Sequence, residues 1–265
     1  MNEVTTYRWS FDQDVSRYEA SGYRGIGVWR QKLADFGEGR GIDRLADSPL
    51  KVTNLIWAGG FTGSDGRSLQ ESIDDAADAV RLAADLEAGC LVIYPGGRNN
   101  HIVRHAERLL TMALDQLLDL AEATNVTLAI EPMHPACAAE WTFLTDVAST
   151  IRFIKRFNTQ QLKLALDTYH FGLDPDLRKN FPEIVPYMAI VHLGDRRDAP
   201  SIDQERCLLG SGVVPLDQMV CELQLAGYKG DFDVKLYGQD IELCDYGQLL
   251  KDSRQQFDRM LSLAL

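Results

Sequence analysis

Short apolar segments alternate with longer amphipathic segments along the whole chain of 265 residues. The short segments have the length and composition of strands, and the long ones carry apolar residues at helical spacing. Strands that alternate with helices imply a parallel sheet with helices packed outside it. In about 250 residues, such units typically close into a single barrel. We therefore predict one domain, residues 1–265, folded as an eight-stranded parallel (β/α)8 barrel, an α/β fold with strands at 4–9, 24–29, 51–57, 90–94, 126–130, 162–166, 188–191 and 231–236.

The segments between these strands predict helices with identifiable ends. Glycines interrupt residues 30–47, which indicates two helices there, and Pro182 interrupts residues 175–185. Residues 196–212 are too polar for the core and predict a long loop. The remaining helices are predicted at residues 12–20, 68–88, 101–124, 142–157, 215–225 and 246–263.

Composition narrows the functional classes. The net charge is −12, which argues against a protein that grips nucleic acid by its phosphates. No apolar run of membrane-spanning length occurs, and the N-terminus lacks the pattern of a secretory signal. Five widely spaced cysteines without a CxxC motif are typical of reduced thiols. We expect a cytoplasmic protein with no membrane partner.

Chemically active side chains follow three of the predicted strands. Glu131 comes directly after residues 126–130, Asp167 and His170 follow residues 162–166, and His192 follows residues 188–191. The carboxyl ends of barrel strands meet at one mouth, so we expect these side chains to converge. A buried carboxylate is costly unless it is paired, hydrogen-bonded or coordinated. The sequence therefore predicts a site at this mouth.

Glu131, Asp167 and His192 together form a ligand set for a divalent metal ion. Two carboxylate oxygens and one imidazole nitrogen suit manganese-like ions first, with Mg, Co or Zn as alternatives. Such an ion would hold adjacent oxygens of a hydroxy-carbonyl sugar and stabilise the charge that develops when a neighbouring C–H loses its proton. Glu131 could act as the base that takes this proton.

Four motifs, taken in chain order, resemble the xylose-isomerase-like TIM-barrel superfamily. The likeness is strongest to its sugar phosphate isomerase/epimerase group, which includes ketose 3-epimerases and enzymes of inositol catabolism. It covers nearly the whole chain and is most marked over residues 128–237. The motifs are Glu131-Pro132-Met133-His134-Pro135, Asp167-Thr168-Tyr169-His170, His192-Leu193-Gly194-Asp195, and Arg206 followed by Gly210-Ser211-Gly212.

The resemblance implies a role for each matched position. Glu131, Asp167 and His192 match three metal ligands, and the first of them is also a catalytic base in the epimerases. His170 and Arg206 match residues that bind substrate. His134, three residues after Glu131, either touches substrate as well or caps its own loop.

Lys235 departs from the family pattern. The final strand of the family supplies a glutamate that is both the fourth ligand and the partner base, and here that position is a lysine. A protonated lysine cannot ligate a cation, so we expect Lys235 to occupy the metal position and pair with Glu131 and Asp167. Asp233, two residues earlier, is expected one layer deeper in the barrel. An ion-pair network of purely structural value remains an alternative.

Several functions stay open at this point. One is an isomerase or epimerase of a sugar, a sugar phosphate or an inositol-derived compound that works through an enediolate. Lys235 acts in it as an electrophile, or swings away from a three-ligand metal site. A Schiff base on Lys235 is a further alternative. The second class is a non-catalytic sugar-binding or regulatory relative that has lost the metal. The third is a DNA-repair endonuclease of the same fold, which the acidic charge disfavours. Related barrels commonly form dimers or tetramers, so a homo-oligomer is one alternative, and the sequence does not fix the oligomeric state.

Aromatic residues after the early strands could wall a sugar pocket or belong to the core. Apolar ring faces suit the C–H faces of sugars. The residues in question are Trp9, Trp29, Trp57 and Phe61. Tyr94-Pro95-Gly96-Gly97-Arg98 is interpreted as a plain turn of the barrel in preference to a phosphate-binding loop.

Overall fold

A computed structural model of the protein describes residues 1–263, where seven parallel strands form one sheet. Each strand is hydrogen-bonded to the next strand along the chain. This order is that of a barrel in which each crossover passes over the outer face. The strands are β1 (Gly25–Trp29), β2 (Lys51–Gly59), β3 (Leu91–Tyr94), β4 (Leu128–Ile130), β5 (Leu162–Asp167), β6 (Met188–Leu193) and β7 (Asp231–Val234).

Helices connect these strands, and most of them lie where the sequence predicts them. A single 3-10 turn, Val185–Tyr187, precedes β6. The α-helices are α1 (Phe11–Ala20), α2 (Arg30–Phe36), α3 (Glu38–Ala46), α4 (Leu69–Asp85), α5 (Val103–Ala123), α6 (Val147–Lys155), α7 (Thr168–Phe171), α8 (Pro175–Lys179), α9 (Phe181–Ile184), α10 (Leu216–Leu225), α11 (Gln239–Glu242) and α12 (Tyr246–Ser262).

The N-terminal segment closes the barrel between β7 and β1. The backbone amide of Asn2 donates to the Val234 carbonyl (2.9 Å), and that of Glu3 donates to the Gly27 carbonyl (3.0 Å). Asn2 also forms a parallel bridge with Gly27. The barrel prediction is confirmed, with seven strands and this bridging segment in place of eight strands.

The strand predicted at residues 4–9 is wrong. The amides of Thr5 and Thr6 turn back to the carbonyls of Asn2 and Glu3 at 3.0 and 3.2 Å. The Thr5 hydroxyl accepts a hydrogen bond from the Leu236 amide at 2.9 Å. The Thr5 and Thr6 amides bond within their own segment and not to a neighbouring strand, so the chain turns after the bridge instead of continuing as a strand.

Local capping explains where the helices begin and end. Ser68 and Glu71 form a capping box at the start of α4, whose apolar stripe includes the buried Ile73 and Val80. Gly37 separates α2 from α3 with φ of 104°, as predicted. The helix expected from residue 142 begins only at Val147, because the Asp146 side chain accepts the Ser149 amide at 2.7 Å and fixes the N-terminus there.

Three further sequence expectations concern the described chain. None of its helices is long and apolar enough to cross a lipid bilayer. The five cysteines are free thiols, as expected. The long predicted loop is also confirmed, since no helix or strand lies between β6 and α10.

Candidate active site

The three residues predicted as metal ligands converge at the carboxyl ends of β4, β5 and β6. Glu131 directly follows β4, Asp167 is the last residue of β5, and His192 lies opposite Asp167 in the β5–β6 register. All three side chains are fully buried, and their ligand atoms lie within 4.8 Å of one another. Parallel strands bring their carboxyl ends to one mouth, so this convergence follows from the barrel.

The Lys235 ammonium occupies the centre of this group, as the sequence predicts. Its Nζ lies 2.8 Å from Oε1 of Glu131 and 3.4 Å from Oδ2 of Asp167. It also lies 3.3 Å from Nδ1 of His192 and donates to the Tyr94 hydroxyl at 3.0 Å. Lys235 follows β7 directly and is 3% exposed. A buried ammonium, paired with carboxylates, therefore lies among the predicted ligands.

The electrostatics of this cluster keep Glu131, Asp167 and Lys235 charged. Burial raises the pKa of Glu131, but Lys235 and His192 outweigh it and bring that pKa to about 2. Burial is likewise outweighed at Asp167, whose pKa Arg206 and Lys235 hold well below its usual range. Burial lowers the pKa of Lys235, yet Glu131 above all raises it well past its ordinary value. A Schiff base requires the neutral amine, so this environment opposes one.

A divalent ion does not fit beside Lys235 in this arrangement. The donor set of Glu131, Asp167 and His192 suits such an ion, but the ammonium fills the space between the three donors. Asp233 does not substitute for the missing glutamate. Its Oδ2 accepts hydrogen bonds from the side-chain amides of Asn2 and Asn54 at 2.6 and 2.8 Å, and it remains 3.9 Å from His192 Nε2.

Arg206 reaches the cluster from the loop that follows β6. Its Nη1 donates to Oδ1 of Asp167 at 3.0 Å and to the Lys235 carbonyl at 3.2 Å. Its Nη2 donates to the Tyr237 hydroxyl at 2.9 Å. The guanidinium lies between the rings of Tyr169 and Tyr237, 4.4 and 4.3 Å from their centroids. Arg206 is therefore held in one orientation next to Asp167.

Asp195 fastens the loop that carries Arg206. Its Oδ2 accepts the backbone amides of Gly210 and Gly212 at 2.9 and 3.0 Å. Its Oδ1 accepts those of Arg196 and Val214 at 2.8 and 3.2 Å. Four backbone donors thus converge on one buried carboxylate, which ties both ends of the loop to the end of β6.

The two remaining predicted residues differ in their placement. His170 is buried in α7, and both of its ring nitrogens lack a hydrogen-bond partner within residues 1–263. Burial lowers the pKa of His170 to about 3, so its imidazole is neutral. His134 is half-buried, and its Nδ1 accepts a hydrogen bond from the Ala136 amide at 3.3 Å. This contact is the one expected if His134 caps its own loop. Their roles toward a substrate remain predictions.

An aromatic cavity of about 190 Å³ opens beside Lys235. Trp57, Tyr94 and Trp141 pack on one another with ring centroids 5.2 to 5.7 Å apart. Ring faces with few polar groups suit the C–H faces of a small ligand. The cavity is lined by Val4, Ile56, Trp57, Tyr94, Met133, Trp141, Gln204, Lys235 and Tyr237.

The sequence foresees this wall only in part. Trp57 lines the cavity, which agrees with the pocket-wall alternative for the early aromatic residues. Trp29 packs beside the same aromatic group. Phe61 belongs to the main core, and Trp9 packs edge-on against Tyr246 at 5.2 Å. Sequence reasoning missed four residues of the cavity wall, Tyr94, Trp141, Gln204 and Tyr237. For Tyr94 a signal existed, since it ends β3 as Asp167 ends β5.

The comparisons with known proteins agree with this barrel. Inosose isomerase of Halalkalibacterium halodurans is 24% identical over 251 residues, which are 89% of this chain and 86% of the relative. A solved structure from Sinorhizobium meliloti 1021 is 25% identical, with a TM-score of 0.90 over 98% of this chain and 97% of the other. The IOLI protein, solved with a zinc atom, is 20% identical, with a TM-score of 0.86 over 100% and 98%.

The family suggested by the sequence motifs is confirmed by a match over most of the chain. The xylose isomerase-like TIM barrel family matches residues 15–257, a range that contains every predicted site residue. The likeness to the IOLI protein supports the same fold. The chain therefore belongs to the xylose isomerase-like TIM barrel family.

Proposed function

We propose that the protein is a sugar isomerase or epimerase that moves a proton through an enediolate. One observation carries this proposal: Glu131, Asp167 and His192 converge around the Lys235 ammonium at the edge of an aromatic cavity. A proton acceptor and a fixed positive charge are what an enediolate requires. The relative named inosose isomerase supports a polyhydroxylated ketone as the substrate class.

The residues of the site suggest how such a reaction proceeds. Glu131 removes a proton from the carbon next to the substrate carbonyl, and the electron pair of that C–H bond moves onto the carbonyl oxygen. The positive charge of Lys235 stabilises the resulting enediolate. When the hydroxyl on the deprotonated carbon passes its proton to the former carbonyl oxygen, and Glu131 returns the carbon-bound proton to the former carbonyl carbon, the product is an isomer. Delivery of a solvent proton to the opposite face of the original carbon gives an epimer, and Glu131 then releases its proton to solvent.

Arg206 and His170 are proposed to bind substrate oxygens. Arg206 Nε and both ring nitrogens of His170 are buried without partners in the described part of the chain. An unpaired buried polar atom costs about 1–3 kcal/mol, and a ligand hydroxyl would remove that cost. The ring faces of Trp57 and Trp141 would then pack against the C–H face of the sugar.

We further propose that the wild-type enzyme works without a divalent ion. The position between its three predicted ligands belongs to Lys235, and Glu131 and Asp167 are already paired. The fixed ammonium would supply the positive charge that a metal supplies in other sites. The cofactor predicted from the ligand set is thus proposed to be absent in this protein, whose proposed setting is the cytoplasm.

A second function, a sugar-binding protein without turnover, is favoured by the pKa of Glu131. Lys235 and His192 outweigh burial and bring that pKa to about 2, whereas an efficient base has a pKa near the working pH. A carboxylate paired with an ammonium is a weak proton acceptor. The same pocket could therefore hold a sugar in place without reacting.

Exchange of the substrate proton with solvent separates the two functions. An inosose and a panel of ketoses are incubated with the protein in D2O, and loss of the proton next to the carbonyl is followed by NMR. The proposed enzyme exchanges it at the same rate with EDTA and with Mn²⁺ present. Binding without exchange in the wild type, together with Mn²⁺-dependent exchange in Lys235→Glu, would establish the sugar-binding alternative instead.

A further inference from the structure

The protons of the Lys235 ammonium all face protein acceptors. An ammonium has three protons, and its acceptors here are Oε1 and Oε2 of Glu131 at 2.8 and 3.1 Å and the Tyr94 hydroxyl at 3.0 Å. Oδ2 of Asp167 lies 3.4 Å from the ammonium and accepts no hydrogen bond from the described residues. His192 is not a fourth acceptor, because its Nδ1 lies 2.9 Å from the Glu131 carboxylate and must carry a hydrogen for that bond. Lys235 therefore has no proton left for a substrate oxygen.

The Tyr94 hydroxyl is the neighbour of Lys235 with an unused donor. Its oxygen accepts from Lys235, and its own hydrogen has no acceptor among residues 1–263. Tyr94 and Lys235 both line the aromatic cavity. The Tyr94 ring is fixed by Trp57 and Trp141, with centroids 5.7 and 5.6 Å away. A donor of fixed position thus remains beside the space proposed for the substrate.

We propose that Tyr94 is a further catalytic residue, whose hydroxyl donates a hydrogen bond to the substrate carbonyl oxygen and carries the influence of the Lys235 charge to it. This inference rests on the proposed isomerase or epimerase function. A hydroxyl that accepts a bond from a cation becomes a stronger donor, because hydrogen bonds in a chain polarise one another. The hydrogen stays on the phenol and only the bond strengthens as the carbonyl oxygen gains charge.

The surroundings of Tyr94 support a donor rather than a base. Burial raises the pKa of the Tyr94 phenol, and the Glu131 carboxylate raises it further. The phenol therefore keeps its hydrogen at neutral pH. A fixed, neutral donor in a site that excludes water is the arrangement that stabilises developing negative charge on oxygen.

Tyr94→Phe removes the donor and leaves the ring in place. Loss of one such donor lowers turnover by about 10²- to 10³-fold, so we expect the D2O exchange rate of an inosose to fall by about 10²-fold, mainly in kcat. Tyr23→Phe is the matched control, since its hydroxyl donates to the Leu250 carbonyl at 2.8 Å on the outer side of the barrel. It should keep the wild-type exchange rate.

An infrared measurement tests the bond itself, independently of turnover. An inosose labelled with ¹³C at its carbonyl should show a band at lower wavenumber when bound to wild type or Tyr23→Phe than in water. In Tyr94→Phe that shift should be lost. An equal shift in wild type and Tyr94→Phe would overturn the role of Tyr94 while leaving the proposed function intact. No bound carbonyl band and no exchange in the wild type would overturn both.

Discussion

Lys235 lies within 3.4 Å of both carboxylates that the sequence suggests as metal ligands. A divalent ion 4 Å from this ammonium would meet a repulsion of about 8 kcal/mol, twice the ~4 kcal/mol between unit charges at an effective dielectric constant of ~20. Removing the ammonium leaves Glu131 and Asp167 with less compensation. Breaking a buried pair in this way costs about 3–5 kcal/mol.

Lys235→Met should therefore lower the melting temperature and create a metal-dependent protein. A divalent ion that binds only the folded state restores stability by mass action, so Mn²⁺ should raise the melting temperature of this variant and leave that of the wild type unchanged. Calorimetric titration should show binding of one ion by the variant alone. Tight Mn²⁺ binding by the wild type would contradict the arrangement proposed for Lys235.

Lys32→Met provides the matched control for this measurement. Lys32 is also a buried lysine, and it pairs with Asp14 and donates to the carbonyls of Glu3 and Thr6 at 3.2 and 3.1 Å. Its loss should destabilise the protein by a similar mechanism. No cluster of three metal-binding side chains is found there within residues 1–263, so Mn²⁺ should not rescue this variant.

Single residues of the site differ in how far the sequence could predict them. Glu131, Asp167 and His192 are predictable because strand ends of a parallel barrel converge. Arg206 is suggested only by the family resemblance, since it arrives on a long loop. Tyr94 ends β3 and so carries the same strand-end signal, but a phenol is not a typical metal ligand or base. Its contact with Lys235, 141 residues away, is not visible in any local pattern.

At the scale of elements, the loop between β6 and α10 depends on Asp195. Asp195→Ala leaves four backbone amides without their acceptor. Each unsatisfied buried donor costs about 1–3 kcal/mol, though water compensates where it can enter. We expect a stability loss on the order of 3 kcal/mol, together with faster tryptic cleavage at Arg196 or Arg197 as the loop loosens.

A second variant of the same loop distinguishes the loss of the Asp195 hydrogen bonds from the loss of one negative charge. Asp198 is exposed, and its carboxylate makes no hydrogen bond to other described residues. Asp198→Ala should keep the wild-type melting temperature and cleavage rate, as surface changes usually stay within ±0.5 kcal/mol. Equal cleavage of Asp195→Ala and the wild type would show that the loop is held by other contacts.

The elements also show which boundaries a sequence can fix. Capping residues fix the N-termini of α4 and α6 locally. The Ser68–Glu71 pair therefore predicts the start of α4 from the sequence alone. The short helix α7 was not predicted, because it begins when the Asp167 side chain accepts the Tyr169 amide at 2.9 Å. Its apolar pattern is too short to signal a helix, and the sequence suggests Asp167 only as a metal ligand.

At the scale of the whole molecule, the N-terminal segment joins barrel closure to a buried acidic cluster. Glu3 follows the bridging residue, and its side chain accepts the Trp29 amide at 2.8 Å. Asp14 of α1 and Lys32 of α2 pack beside it. The sequence pattern of residues 4–9 could not reveal this arrangement, because it resembles that of a strand, whereas the chain turns at Thr5 and Thr6.

The cluster holds two carboxyl groups against one lysine. Burial raises the pKa of Glu3 well above its ordinary value, and Asp14 raises it further while Lys32 opposes. Burial also raises the pKa of Asp14 to about 6, again against Lys32. A carboxyl with a higher pKa in the folded state takes up a proton on folding. Its contribution to stability is therefore greatest below the unfolded pKa of about 4 and declines as the pH rises to the folded value.

Glu3→Gln should remove much of this decline while keeping an acceptor for Trp29. In the wild type, Asp14 alone should lower the free energy of unfolding by roughly 3 kcal/mol between about pH 4 and pH 6, since each pKa unit corresponds to about 1.36 kcal/mol. A glutamine does not titrate, so the variant loses the part of the decline that belongs to Glu3 itself. Its urea-unfolding stability should therefore fall less as the pH rises and exceed that of the wild type at pH 7. The exposed Glu38→Gln serves as the control and should follow the wild-type curve. If the stabilities of Glu3→Gln and the wild type changed in parallel with pH, the Glu3 carboxyl would not contribute to the decline. The barrel would then not close over an uncompensated carboxyl group.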